Sequence, residues 1–153
     1  MSNAVAWRTA RLGDAAAVRE LTRRAYAKWV PVIGREPLPM TADYEMAVAA
    51  HRIDLAERES VLLGLVELVL HPDALLIENV AVSPEHQKQG LGRLLMARAE
   101  TVAAELQYRL IKLYTNKAFA ENVAFYERLG YGIDREEPFR GGTTVYMSKR
   151  LSA

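Results

Sequence analysis

Gln87-Lys88-Gln89-Gly90-Leu91-Gly92 decides the fold of this chain. The stretch lies between a strand-like run, Leu75–Val82, and a long amphipathic run, Leu91–Leu106. A glycine-bearing loop that ends a strand and opens a helix is a natural cradle for a pyrophosphate. The first-turn N–H groups of a helix have no intrahelical partner, its dipole is positive at that end, and glycine lets a ligand approach the backbone. The stretch points to a phosphate-bearing ligand.

Working outward, Leu91, Leu95, Ala99, Val102 and Leu106 share one face of the following helix. Upstream, Val61–Leu70 and Ala74–Val82 read as the strongest strands. Pro72 and Asp73 at the centre of His71-Pro72-Asp73-Ala74 suit a type I turn, which makes the two strands an antiparallel hairpin. A hairpin centred between Pro72 and Asp73 sets Glu67 opposite Glu78. Further back, Ala4–Thr9 is a short strand and Leu12-Gly13-Asp14 a turn, with Asp14 as N-cap. Val18, Leu21, Ala25 and Trp29 follow at helical spacing, predicting a helix to about Trp29. Pro31, Gly34, Pro37 and Pro39 predict a loop, and Thr41–His51 a helix capped by Thr41. Arg52–Ala56 is a short strand ended by a polar turn, Glu57–Ser60. Downstream come a strand, Arg109–Thr115, and a helix, Glu121–Leu129, stopped by Gly130. Two strands, Tyr131–Asp134 and Thr143–Lys149, flank Gly141-Gly142. The order β-α-α-β-β-β-α-β-α-β-β is an α/β fold, a mixed and mostly antiparallel sheet of about seven strands with about four helices on its faces.

The bulk properties narrow the partners. At 153 residues the chain reads as a single domain, 1–153, long enough to bury a core. A formal charge of +1 supplies no electrostatic attraction for nucleic acid or an anionic membrane. The absence of cysteine excludes disulfides, thiolate zinc sites and a cysteine acyl-enzyme. Met1-Ser2-Asn3-Ala4 is not the start of a secretory signal, and Val61–Leu70 is too short for a membrane span and carries Glu67. A cytoplasmic globule is expected. His51, His71 and His86 stand apart, so no metal is expected. The loop lacks the Gly-Lys-Ser/Thr ending of a P-loop and the first glycine of a Rossmann fingerprint.

The element order, with this loop at its middle, resembles the GNAT superfamily of acyl-CoA-dependent N-acyltransferases over nearly the whole chain. Val80-Ala81-Val82-Ser83-Pro84-Glu85 is similar to the family's fourth-strand exit, and Gln87 to Gly92 fits its Q/R-x-x-G-x-G/A pyrophosphate loop. Asn122-Val123-Ala124-Phe125-Tyr126-Glu127-Arg128-Leu129-Gly130-Tyr131 resembles its second hallmark, with one departure: Phe119 stands where the common version has Asn. The resemblance implies acetyl-CoA as acyl donor. Backbone N–H groups of Gln89, Gly90, Leu91 and Gly92 would hold its pyrophosphate, with Gln87 in the same motif and Lys88 and Arg93 as side-chain helpers. Val80, Ala81 and Val82 would pair through their main chain with the pantetheine arm and offer an oxyanion donor. A bulge in the fourth strand is also implied, as is a homodimer. Asn116 and Asn122 are both candidates for the amide that meets coenzyme A, and Asn122 shares a helix face with Tyr126.

Tyr126 occupies the family's general-acid position, and its phenol can hand a proton to a departing thiolate. Glu78, on an otherwise apolar strand face with Leu76, Val80 and Val82, is the candidate base, with Glu67 or a water chain as alternatives. Tyr26, Trp29, Arg35, Tyr44 and His51 belong to the acceptor side. Trp29 and Arg35 are the candidate substrate contacts, Arg35 through bidentate pairing with an acceptor carboxylate. The activity so implied is transfer of acetyl to a primary amine of a small molecule by direct attack in a ternary complex. Acetylation of a protein N-terminus or lysine, and an idle acyl-CoA-binding module, are the alternatives.

Overall fold

The computed structural model of the protein describes residues 4–152, so the reading at Met1-Ser2-Asn3 lies outside the described residues. The two most apolar runs build the frame. β3 (Val61–Leu70) and β4 (Leu75–Val82) pair antiparallel from Leu70↔Leu75 to Leu68↔Ile77. There the register slips. Glu67 lies opposite Asn79, Val66 opposite Val80 and Gly64 opposite Val82, leaving Glu78 as the extra residue of a β-bulge. The expected Glu67–Glu78 pairing is corrected: the hairpin is centred as its turn residues require, but the bulge intervenes one pair before the glutamates would meet. At the turn, His71 N–H donates to the Ala74 carbonyl at 3.1 Å. The His71 carbonyl, the acceptor of a type I turn, takes the Tyr108 hydroxyl at 2.7 Å.

The bulge also exchanges faces. Strict alternation would place Leu76, Glu78, Val80 and Val82 on one side. With one residue inserted, Leu75, Ile77, Val80 and Val82 pack with Leu95, Met96 and Ala99 of α5 (Leu91–Glu105). Ala81 packs on the opposite face with Val18, Leu21 and Ala25 of α1 (Ala15–Tyr26) and Tyr44 and Ala47 of α4 (Tyr44–Ala50). Each fully buried aliphatic in these two clusters contributes about 1.5–3 kcal/mol through removal from water.

β2 (Arg52–Arg58) and β1 (Ala6–Thr9) extend the sheet antiparallel beyond β3. On the other side β5 (Leu110–Asn116) runs parallel to β4, as the α5 crossover demands, and β7 (Gly142–Arg150) and β6 (Gly132–Phe139) follow antiparallel. The strand order is β1-β2-β3-β4-β5-β7-β6. α6 (Ala120–Arg128) sets Phe125, Tyr126 and Leu129 against the α5-side core.

Several local expectations are revised. The proline-rich segment forms two single helical turns, α2 (Val30–Ile33) and α3 (Leu38–Thr41), rather than a loop. Pro31 and Pro39 fall in their first turns, where a missing N–H costs nothing, and Gly34 closes α2 at φ 73°. α1 ends at Tyr26 and passes into a 3-10 turn, Ala27–Trp29. Asp43, not Thr41, caps α4 by accepting Met46 N–H at 3.1 Å. Asp14 stands at the N-cap position of α1, but its carboxylate binds the Arg8 guanidinium and Arg11 N–H instead. β6 runs past Asp134 through Arg135-Glu136-Glu137. These are charged residues of an exposed edge strand, whose ladder with β7 rather than any apolar pattern makes them a strand. Among the described residues no helix is long and apolar enough to cross a membrane.

Candidate active site

β4 and β5 share a ladder only over Leu75–Ile77 and Ile111–Leu113, so the strands part at the bulge. Ser83 N–H donates back to the Leu63 carbonyl of β3 at 2.8 Å. Alternation along the strand therefore turns the main-chain groups of Val82 and Val80 away from β3 and into the gap. Two side chains occupy their carbonyls: the Tyr26 hydroxyl donates to Val80 O and Gln87 Nε2 to Val82 O, each at 3.3 Å. The N–H groups of Val80 and Val82 face the same gap. It is an open strand edge that an extended ligand can join.

The glycine loop stands at the end of that gap. A 3-10 turn, Pro84–His86, is tied down by contacts of Glu85 with Ser83 and Arg24. Lys88 at φ 64° and Gly90 at φ 79° then turn the chain sharply into α5. Gln87 is half-buried, while Lys88, Gln89, Gly90 and Arg93 are exposed at the tip and Leu91 anchors it in the core. A Cβ on Gly92 would stand 3.5 Å from Phe125 Cζ, an ordinary van der Waals contact, so α5 starts within touching distance of α6.

Asn122 and Tyr126 lie on one face of α6 and both are half-buried. Burial among Phe125, Tyr131 and the core pushes the Tyr126 phenol up to about 12. The Asn116 carboxamide oxygen accepts Ala118 N–H at 2.9 Å, shaping the β5–α6 turn. Phe119 is buried and stacks on Trp29 with centroids 4.4 Å apart. That contact takes Trp29 away from the acceptor side: it supports the wall through Phe119 instead of lining it.

On the α1/α4 face a cavity of about 460 Å³ opens at the bulge. Glu78 and Glu67 both border it although they are not cross-strand partners. Glu78 Oε1 accepts the Tyr114 hydroxyl at 2.6 Å. Glu67, 3 % exposed, holds His51 Nδ1 at 2.6 Å. Burial raises the Glu67 pKa, and the His51 hydrogen bond offsets part of the rise. Asn79 donates to Thr22 Oγ1 at 3.2 Å and to the Tyr44 hydroxyl at 3.4 Å, while its buried Oδ1 has no protein partner. Burial raises the phenols of Tyr26, Tyr44 and Tyr114, which keeps them protonated as donors. Arg35 lines the mouth and lies over the Phe139 ring, 5.8 Å from its centroid.

The structure thus gathers Glu78, Glu67, His51, Tyr26, Tyr44 and Arg35 around one cavity. It sets Val80–Val82, the glycine loop and α6 around the gap that leads to it. Tyr114 and Asn79 were not singled out from the sequence. Tyr114 reads as an ordinary strand residue, and Asn79 sits in an apolar run with nothing nearby in sequence to bond it. Among the described residues no group of three potential ligand side chains stands close enough to hold a metal ion.

Comparison with known proteins identifies the family and the fold. The sequence profile of the acetyltransferase (GNAT) family matches residues 15–131, and the chain belongs to that family. It is 29% identical over 77 residues to the uncharacterized protein YxbD of Bacillus subtilis, a match spanning 50% of this chain and 47% of that relative. Three solved structures share the fold. The PaiA N-acetyltransferase of Thermoplasma acidophilum, in complex with coenzyme A, superposes with TM-score 0.82 at 15% identity, covering 97% of this chain and 99% of that one. The ribosomal-protein-S18-alanine N-acetyltransferase of Escherichia coli gives 0.79 at 18%, covering 98% and 96%. A GNAT family acetyltransferase of Elizabethkingia anophelis with acetyl-CoA bound gives 0.74 at 14%, covering 98% and 100%.

Proposed function

We propose that this member of the GNAT family transfers an acetyl group from acetyl-CoA to the primary amine of a small molecule, by direct attack within a ternary complex. The observation that carries the reading is the parting of β4 and β5 at Glu78. It joins a donor-lined gap on one side to an acid-bearing cavity on the other, so that two substrates can meet across Val80. A cavity of about 460 Å³ is the size of a small-molecule site rather than a peptide groove.

The residues present fit the donor. The open edge at Val80 and Val82 suits the amide-bearing pantetheine arm. The first-turn N–H groups after Gly90 suit the pyrophosphate, with Lys88 and Arg93 as adjacent cations. Asn122 shares a face of α6 with Tyr126 and suits the coenzyme A amides, whereas Asn116 borders the acceptor cavity and holds Ala118 N–H. Acetyl-CoA, when bound, supplies an activated carbonyl and a thiolate leaving group. Glu78 takes a proton from the acceptor ammonium, which frees the nitrogen pair for attack. A backbone N–H of Val80–Val82 donates to the carbonyl oxygen as it gains charge. Tyr126 gives its hydroxyl proton to the sulfur as the C–S bond breaks. The nitrogen gives up its second proton as the amide forms, and that proton restores the Tyr126 hydroxyl. With no cysteine in the chain, no cysteine acyl-enzyme intervenes, in keeping with direct attack on the thioester.

Thiol release from acetyl-CoA against a panel of primary amines tests the proposal, with calorimetric titration of coenzyme A alongside. Saturable coenzyme A binding and amine-dependent release are expected. Failure to bind coenzyme A at millimolar concentration would end it, and binding without release on any amine would leave an idle module.

A further inference from the structure

The charges around the cavity leave two that the protein itself does not answer. Five charged or titratable groups other than tyrosines border it: Arg35, Asp43, His51, Glu67 and Glu78. Glu67 and His51 are bonded to each other at 2.6 Å. Asp43 caps α4 through Met46 N–H. Glu78, in contrast, meets only the neutral Tyr114 hydroxyl among the described residues. Arg35 has the Glu36 carbonyl at 3.5 Å and the Phe139 face, and no carboxylate among the described residues pairs with it. Both are half-buried. A charge of one sign in a cleft attracts a ligand group of the other. One anion at the bulge and one cation at the mouth of the same cavity call for a ligand bearing both charges.

We infer that the acceptor is an amino acid with an apolar side chain. Its ammonium group is received by Glu78 and its carboxylate by Arg35, and its side chain lies against Ile33, Leu38, Tyr44 and Phe139. A guanidinium binds a carboxylate through two parallel N–H···O bonds, and its seat over Phe139 orients that fork. A polyamine would leave Arg35 facing a second cation. An aminoglycoside would set hydroxyls against apolar walls. This assignment rests on the acetyltransferase reading above and names its acceptor.

The test is thiol release from acetyl-CoA with L-phenylalanine, L-leucine, L-phenylalaninamide, 2-phenylethylamine and spermidine. The amide keeps the ring and its less basic amine is more largely unprotonated near neutral pH, so a preference for the acid cannot come from free-amine supply. 2-Phenylethylamine, with the more basic amine, controls for nucleophilicity. Wild type is expected to show a kcat/KM on the two amino acids at least about 30-fold above that on the amide and the amines, the scale of one buried charge pair. Arg35→Gln should lower kcat/KM for phenylalanine by about 30-fold, mostly through KM, and bring the acid-to-amide ratio near one. Arg35→Lys should recover part of the loss. Equal rates on acid and amide, a preference for spermidine, or an Arg35→Gln variant that keeps the wild-type ratio would overturn the assignment. Release with no primary amine at all would defeat the transferase reading itself. Release that ignores the carboxylate would defeat only this one.

Discussion

The Tyr114 hydroxyl donates to Glu78 Oε1 across 2.6 Å, bridging β5 and the bulged residue of β4 where the ladder between these strands ends. The bond uses one of the acceptor positions of the carboxylate and leaves Oε2 for a substrate. It also gives Glu78 one direction in a region where no strand pairing holds it. A base held so can meet an amine delivered by the cavity, and the predictions begin there.

Glu78→Gln keeps the shape and the Tyr114 contact but removes the proton acceptor. The rate should fall by about 10²–10⁴-fold near neutral pH, the usual weight of a general base. The defect should be largest at low pH and shrink as pH rises and the free amine becomes available without help. Coenzyme A affinity should hold. A variant whose pH–rate profile matches wild type would take Glu78 out of the chemistry.

Tyr126→Phe should lower kcat by about 10²-fold with little change in coenzyme A binding. Burial holds the phenol near 12, so it remains protonated throughout the working range. The wild-type pH–rate profile should therefore show no falling limb from this group below about pH 11. An alkaline limb near pH 9 that vanishes in Tyr126→Phe would contradict that placement.

Glu67 carries a stability signature. Its pKa is raised chiefly by burial, so the folded state holds the proton more tightly than the unfolded state. Its penalty is absent at low pH, and grows as pH rises from the ordinary glutamate range through the folded value. Urea unfolding of wild type and Glu67→Gln should show the difference moving against wild type over the interval above the ordinary glutamate range. A constant difference across that interval would mean that Glu67 is not desolvated in solution.

Gly90→Ala tests the turn into α5. Nothing lies within 4 Å of the added methyl, so the cost comes from the φ of +79° alone, about 1 kcal/mol. A loss of roughly 2–4 °C in Tm is expected for a domain of this size, together with weaker coenzyme A binding as the tip relaxes. Unchanged affinity would separate this turn from the cofactor.

Asp54→Ala probes the sheet itself. Asp54 is fully buried and accepts from Arg52 Nε at 3.1 Å and Arg98 Nε at 2.9 Å, tying β2 to α5. Removing it leaves two cations facing a void, and about 3 kcal/mol should be lost in chemical denaturation. A loss under about 0.5 kcal/mol would show that both guanidiniums reach water freely.

Local features were legible wherever neighbours along the chain decide the outcome. The β3–β4 hairpin is centred where Pro72 and Asp73 place it, and α5 and α6 fall within a residue of their expected ends. Gly130 sits at φ 99°, as a helix stop requires. The proline-rich turns were misjudged because proline in a first turn is permitted by the same lack of N–H that forbids it further in. The charged β6 was cut short because its strand character comes from β7 rather than from its own side chains.

The amino-acid order alone determined the family motifs, the element succession and the glycine-opened helix tip, because turn preference, alternation and helical spacing act over a few residues. Only the folded sheet decided which carboxylates border one cavity. The bulge separates Glu67 from Glu78 in register, yet both border one cavity. Tyr114 reaches Glu78 from 36 residues away, and His51 reaches Glu67 from 16. A single inserted residue reverses the facing of everything after it. That insertion falls where the β4–β5 ladder ends, a contact between strands distant in sequence.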